Sequence, residues 1–188
     1  RKSPAGSGTQ TAGLAFGGDE TTGYTESYNG TNWTELNDLI RPRQLLGSST
    51  SGTTTASLAF GGLYGGNPTT AVTESWNGTN WTEVNDLNTA RARLGGAGTQ
   101  TSALAISGYT STHVGNTELW NGTNWTEVND INTARYALAG CGVDNTSALA
   151  FGGYDTESKS ASETWNGTNW ADSGNMNTAR NSLGGAGD

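Results

Sequence analysis

The segment TESWNGTNWTEVNDL at 73–87 recurs, with small changes, as TESYNGTNWTELNDL at 25–39, TELWNGTNWTEVNDI at 117–131 and SETWNGTNWADSGNM at 162–176. A second shared piece precedes each copy: AGLAFGG at 12–18, ASLAFGG at 56–62, SALAISG at 102–108 and SALAFGG at 147–153. An arginine opens each module, at Arg1, Arg43, Arg91 and Arg135, and a fifth, Arg180, begins RNSLGGAGD, which repeats the opening alone. The arginines are spaced by 42, 48, 44 and 45 residues. Modules at about 1–42, 43–90, 91–134 and 135–179, with a partial fifth at 180–188, form a single repeat domain in which each unit must hide its apolar side against a neighbour.

Within a module the local patterns predict four strands. Leu104-Ala105-Ile106 and its counterparts alternate large and small apolar residues with period two, and the glycines that follow stop the strand. Glu74-Ser75-Trp76 and Trp81-Thr82-Glu83 flank Asn77-Gly78-Thr79-Asn80, a hairpin signal on the ground that Asn and Gly both tolerate positive φ. The stretch 94–98, rich in glycine, joins the apolar strand through the short turn Thr99-Gln100-Thr101 and supplies the remaining strand. The composition agrees: 29 glycines and only 32% hydrophobic residues leave too little material for a helical bundle.

In the order arginine, small-residue strand, apolar strand ending in Gly-Gly, Glu-x-aromatic and then Trp, the module resembles the kelch repeat of kelch-type β-propellers, over nearly the whole chain. The resemblance implies a first strand lining a central channel, a double glycine closing the second, an aromatic on the third and a tryptophan on the fourth. Those positions are Gly17 and Gly18, Gly61 and Gly62, Gly108, Gly152 and Gly153; Tyr28, Trp76, Trp120 and Trp165; Trp33, Trp81, Trp125 and Trp170, with Ser107 in place of one glycine. The expected fold is all-β, a kelch-like β-propeller of four-stranded antiparallel blades with four full repeats plus one extra inner strand. The inner strand departs from the family in being Gly/Ala/Ser-rich, which suits close approach to the axis and a ring of few blades. The segment 180–188 duplicates 1–9, so three arrangements stand open: further modules, an open ring, or pairing of the terminal strand with another copy.

The seven tryptophans, Trp33, Trp76, Trp81, Trp120, Trp125, Trp165 and Trp170, invite a sugar-stacking reading, but recurrence in every module favours packing between blades, which every pair of blades needs. Glu26, Glu74, Glu118 and Glu163 are expected to pair with Arg43, Arg91, Arg135 and Arg180, within or across modules. Asn-x-Ser/Thr occurs at Asn29, Asn32, Asn77, Asn80, Asn121, Asn124, Asn145 and Asn166, glycosylation acceptors by pattern, although turn chemistry copied with the repeat accounts for most of them. Catalysis lacks an inventory: His113 and Cys141 are the sole histidine and cysteine and lie in different modules. No metal or cofactor is expected, and copper oxidases built on kelch propellers need histidine, tyrosine and cysteine ligands together.

What varies between modules is the stretch after the double glycine: seven residues at 19–25, eleven at 63–73, and nine at 109–117 and 154–162. In a propeller these loops share one face, where repeat proteins often bind partners. Tyr24, Tyr64, Tyr109, His113, Tyr154 and Lys159 are the candidate binding residues there, set among small polar residues as in other loop-built recognition sites. A net charge of −8 provides no basic face for nucleic acid, and no apolar run is long enough for a membrane-spanning helix. The near-identical Thr/Asn/Gly-rich copies also resemble tandem-repeat proteins of marine bacteriophages and bacterial surface loci. The expected function is a noncatalytic attachment module of a virion appendage, such as a tail fibre, or of a surface adhesin, located on a virion or cell surface. Its partners would be other copies or neighbouring virion or surface proteins, and a host glycan or protein receptor. The alternatives are a purely architectural filament or capsid subunit and an intracellular kelch peptide-binding scaffold.

Overall fold

The computed structural model describes residues 2–19, 21–65 and 68–187. Arg1, named above as the first module's arginine, lies outside them. Among the described residues there is no helix, and sixteen strands form four antiparallel sheets of four, arranged as a four-bladed β-propeller. Blade 1 contains β1 (Ala5–Thr9), β2 (Ala12–Phe16), β3 (Thr25–Tyr28) and β4 (Trp33–Leu36). Blade 2 contains β5 (Gly47–Ser48), β6 (Ser57–Phe60), β7 (Thr73–Trp76) and β8 (Trp81–Val84). Blade 3 contains β9 (Gly95–Thr99), β10 (Ser102–Tyr109), β11 (His113–Trp120) and β12 (Trp125–Val128). Blade 4 contains β13 (Ala139–Asp144), β14 (Ser147–Phe151), β15 (Ser162–Trp165) and β16 (Trp170–Asp172). Each blade is a meander in chain order.

The inner strands are glycine-rich because they crowd one another. A Cβ on Gly96 would stand 2.1 Å from the Ser48 carbonyl oxygen, and one on Gly140 would stand 2.5 Å from that of Gly96. Residues 183–187 continue the series, with Gly185 set against the Gly140 carbonyl as Gly140 is against Gly96. A chain of backbone hydrogen bonds links the lead-ins of successive inner segments: Leu45 N to Ser3 O, Arg93 N to Leu45 O, Ala137 N to Arg93 O and Ser182 N to Ala137 O, at 3.3, 2.8, 2.8 and 2.8 Å. Leu45, Arg93, Ala137 and Ser182 all adopt left-handed φ, between 54° and 57°, which turns their amides towards the preceding segment.

Among the described residues the buried apolar side chains form three clusters, one for each adjacent pair of blades. Phe16 meets Trp81 edge-on with centroids 4.8 Å apart, and Phe60 meets Trp125 at 5.0 Å. The fourth-strand indoles of blades 2 to 4 each donate to a threonine of the preceding blade: Trp81 to Thr25 at 2.9 Å, Trp125 to Thr73 at 3.1 Å and Trp170 to Thr117 at 3.1 Å. A buried indole N–H needs such an acceptor. Asparagines complete the join, with Asn37, Asn85 and Asn129 each donating into the Asn-Gly-Thr-Asn turn of the next blade.

Two local expectations need correction. In the Asn-Gly-Thr-Asn turns only the glycine has positive φ, +92° at Gly78; Asn77 contributes through its side chain, whose Oδ1 accepts from Thr79 N and Asn80 N at 2.9 Å each. In module 3 the double-glycine site does not end the strand. Ser107 itself takes φ +57°, its hydroxyl donates to Val114 O at 2.7 Å, and after a register shift β10 and β11 pair on as far as Tyr109 and His113.

Candidate functional site

The first strand of each blade starts, and the second ends, at the same end of the sheet: Ala5 pairs with Phe16, and Ile106 with Gly95. The loops between second and third strands therefore emerge beside the lead-ins 2–4, 45–46, 93–94, 137–138 and 182–184, which surround a cavity of about 500 Å³ at the channel mouth. The Asn-Gly-Thr-Asn turns lie at the other end of each sheet.

Beside this mouth three tyrosines pack edge-on and tilted against one another. Tyr136 lies between Tyr109, at a centroid distance of 5.2 Å, and Tyr154, at 5.5 Å, and the Arg93 guanidinium carbon stands 5.5 Å from the Tyr136 ring centre. Short antiparallel bridges hold the backbone beneath them, Ala92 to Tyr109 and Tyr136 to Tyr154. An exposed arginine beside clustered phenol rings offers apolar surface, hydroxyls and a cation within one patch. Lys2 adds a second cation to the lining of the cavity.

Of the residues named from the sequence, the structure brings Tyr109 and Tyr154 together through Tyr136. Tyr24 and Tyr64, exposed, stand in the loops of modules 1 and 2. His113 is half-buried and pairs across the β10–β11 hairpin with Tyr109. Lys159 is held within its own loop by Asp155 at 3.0 Å and Glu157 at 3.3 Å. Its hydrogen bonds to those carboxylates raise its pKa, while backbone N–H groups, first that of Thr156, drive Asp155 well below the usual carboxylate range. Sequence reading missed Tyr136 and Arg93. The signal was there: the two positions after each module arginine read Lys-Ser, Gln-Leu, Ala-Arg, Tyr-Ala and Asn-Ser, varying inside an otherwise uniform frame.

Arg43, Arg91 and Arg135 are not part of this surface. They are fully buried and pair within their own modules with Glu74, Glu118 and Glu163, the last at 2.6 Å. Each carboxylate also accepts from the lead-in backbone; Glu74, for example, takes Ile40 N at 2.8 Å and Arg41 N at 3.3 Å. Burial lowers the guanidinium pKa of Arg43 and Arg91, and the facing carboxylate works against that shift. Trp76, Trp81, Trp120, Trp125, Trp165 and Trp170 are buried, whereas Trp33, expected above to pack between blades, is 53% exposed and rests on Tyr28 of its own blade.

Of the acceptor-pattern asparagines, Asn29, Asn77, Asn121 and Asn166 use Oδ1 to close their turns, and Asn80 and Asn124 receive the latch from the preceding blade. Asn32 is the exposed counterpart in blade 1. The Asn145 amide donates to Trp120 O at 2.8 Å, so its nitrogen is engaged. Among the described residues no group of three or more His, Cys, Asp and Glu side chains is placed to hold a metal ion. Burial raises the pKa of the half-buried Cys141 thiol. No protein-family model matches the chain, and no curated protein matches it. The fold and the mouth define the class: a tandem-repeat β-propeller with a rigid frame and a variable, aromatic loop face.

Proposed function

We propose that the protein is a noncatalytic attachment module that holds a glycan or a protein at the channel mouth, and that it serves on a virion appendage or a cell surface. The observation that carries this reading is the cluster of Tyr109, Tyr136 and Tyr154 with Arg93, assembled from the positions that vary between modules, while the repeated residues are consumed in packing. Clustered phenols can cover sugar rings or peptide planes, and a cation beside them suits a carboxylate-bearing ligand. The arginine, double-glycine and tryptophan order fits a kelch-type propeller, and the Thr/Asn/Gly-rich texture fits a phage or surface repeat protein.

A glycan array probed with the chain, followed by calorimetry on any hit, tests the reading. Tyr136→Ala and Arg93→Ala should each weaken binding by about ten-fold or more without lowering the melting temperature. Binding that survives both substitutions, or none to acidic or neutral glycans or to cell envelopes, would overturn it.

A further inference from the structure

The three joins between blades define what a completed join contains, and the face between blade 4 and blade 1 holds half of each part. Arg180 occupies the place of Arg43, Arg91 and Arg135, yet it is exposed and has no carboxylate partner among the described residues. Ser162 stands where Thr25, Thr73 and Thr117 accept an indole N–H, and its hydroxyl has no bond among the described residues. Phe151 is only half-buried where Phe16 and Phe60 are sealed beneath the next blade's tryptophan, and Trp33 is the one fourth-strand indole with no preceding blade against it. Residues 183–187 lie along β13 as an inner strand does, and among the described residues no second strand pairs with their outer edge.

We infer that this gap is a docking slot for a fifth set of three outer strands with the repeat's own chemistry. The occupant is specified atom by atom. Its second strand pairs with 183–187 and carries a Phe or Ile that covers Trp33; its third strand carries a glutamate for Arg180; its fourth carries a tryptophan that donates to Ser162 and covers Phe151. Charge complementarity argues for such a segment over a plain apolar one, because an arginine sealed beneath a new sheet without its carboxylate would be strongly disfavoured. One contact is missing from the set: Gly174 replaces the latch asparagine of Asn37, Asn85 and Asn129, so the fifth join lacks that bond. The slot is separate from the tyrosine cluster, and its test does not depend on the function proposed above.

The probe is a synthetic polypeptide with the sequence of residues 99–134, which spans β10 to β12, added to the chain. The expected result is a one-to-one complex in which the amides of 183–187 become protected from hydrogen exchange. Arg180→Ala in the chain, or Glu118→Gln in the added polypeptide, should weaken capture by about ten-fold or more, and the two together should cost little beyond either alone. Because such a polypeptide can aggregate before it docks, a second form joins residues 100–134 directly behind Asp188 and reads proteolysis and the same exchange. Appended strands that stay protease-sensitive, with 183–187 exchanging as before, would refute the slot. Capture indifferent to Arg180→Ala would refute it too, and a dimer of the chain alone that blocks capture would show a second copy to be the occupant instead.

Discussion

Arg91 and Glu118 carry opposite charges out of water together, and the arrangement is tolerable only while both are present. Glu118 accepts from Asn88 N at 2.7 Å and Thr89 N at 3.3 Å besides the guanidinium, so its removal frees two backbone donors and one buried cation at once. We predict that Glu118→Gln lowers stability by roughly 3–5 kcal/mol in urea denaturation, since breaking one partner of a buried pair leaves an uncompensated charge. The double variant Arg91→Met with Glu118→Leu should lose clearly less than either single change. A double variant as unstable as the sum of the singles would show that the pair is not coupled. The sequence already showed these residues as a recurring Arg and Glu; whether they pair within a module or across two depended on how far the third strand swings towards the lead-in, which is a matter of blade twist.

At the scale of the strand, glycine placement records how closely inner segments approach. Gly96 has ordinary φ, so its identity is dictated by space and not by backbone conformation, with Ser48 O where its Cβ would go. Gly174 faces open space within 4 Å. Gly96→Ala should therefore destabilise by about 1–3 kcal/mol or more through overpacking, while Gly174→Ala leaves the thermal midpoint nearly unchanged in circular dichroism melts. Equal midpoints for the two variants would contradict the packing of inner strands described here. The four-strand meander was legible because alternation, turn residues and glycine stops are local signals. The continuation of β10 and β11 past Ser107 was not legible, because it depends on a hydroxyl reaching Val114 O across the hairpin.

For the whole molecule, stability resides in three apolar joins, so identical residues differ in worth by location. Trp81 is 4% exposed and Trp33 is 53% exposed, although both occupy the same place in the repeat. Trp81→Ala should cost about 3–5 kcal/mol, and Trp33→Ala within about 0.5 kcal/mol of nothing, measured by equilibrium unfolding. Comparable losses would mean that Trp33 is covered in solution.

Sequence alone determined the repeat, the strand count per module, the turns and the apolar faces, because each rests on residues within a few positions of one another. Only the tertiary structure decided which tryptophan lies bare, that Arg180 waits without a carboxylate, and that Tyr136 joins Tyr109 and Tyr154. Those outcomes depend on which blade stands next to which, and residues 18 to 56 positions apart meet only when the blades pack side by side around the axis.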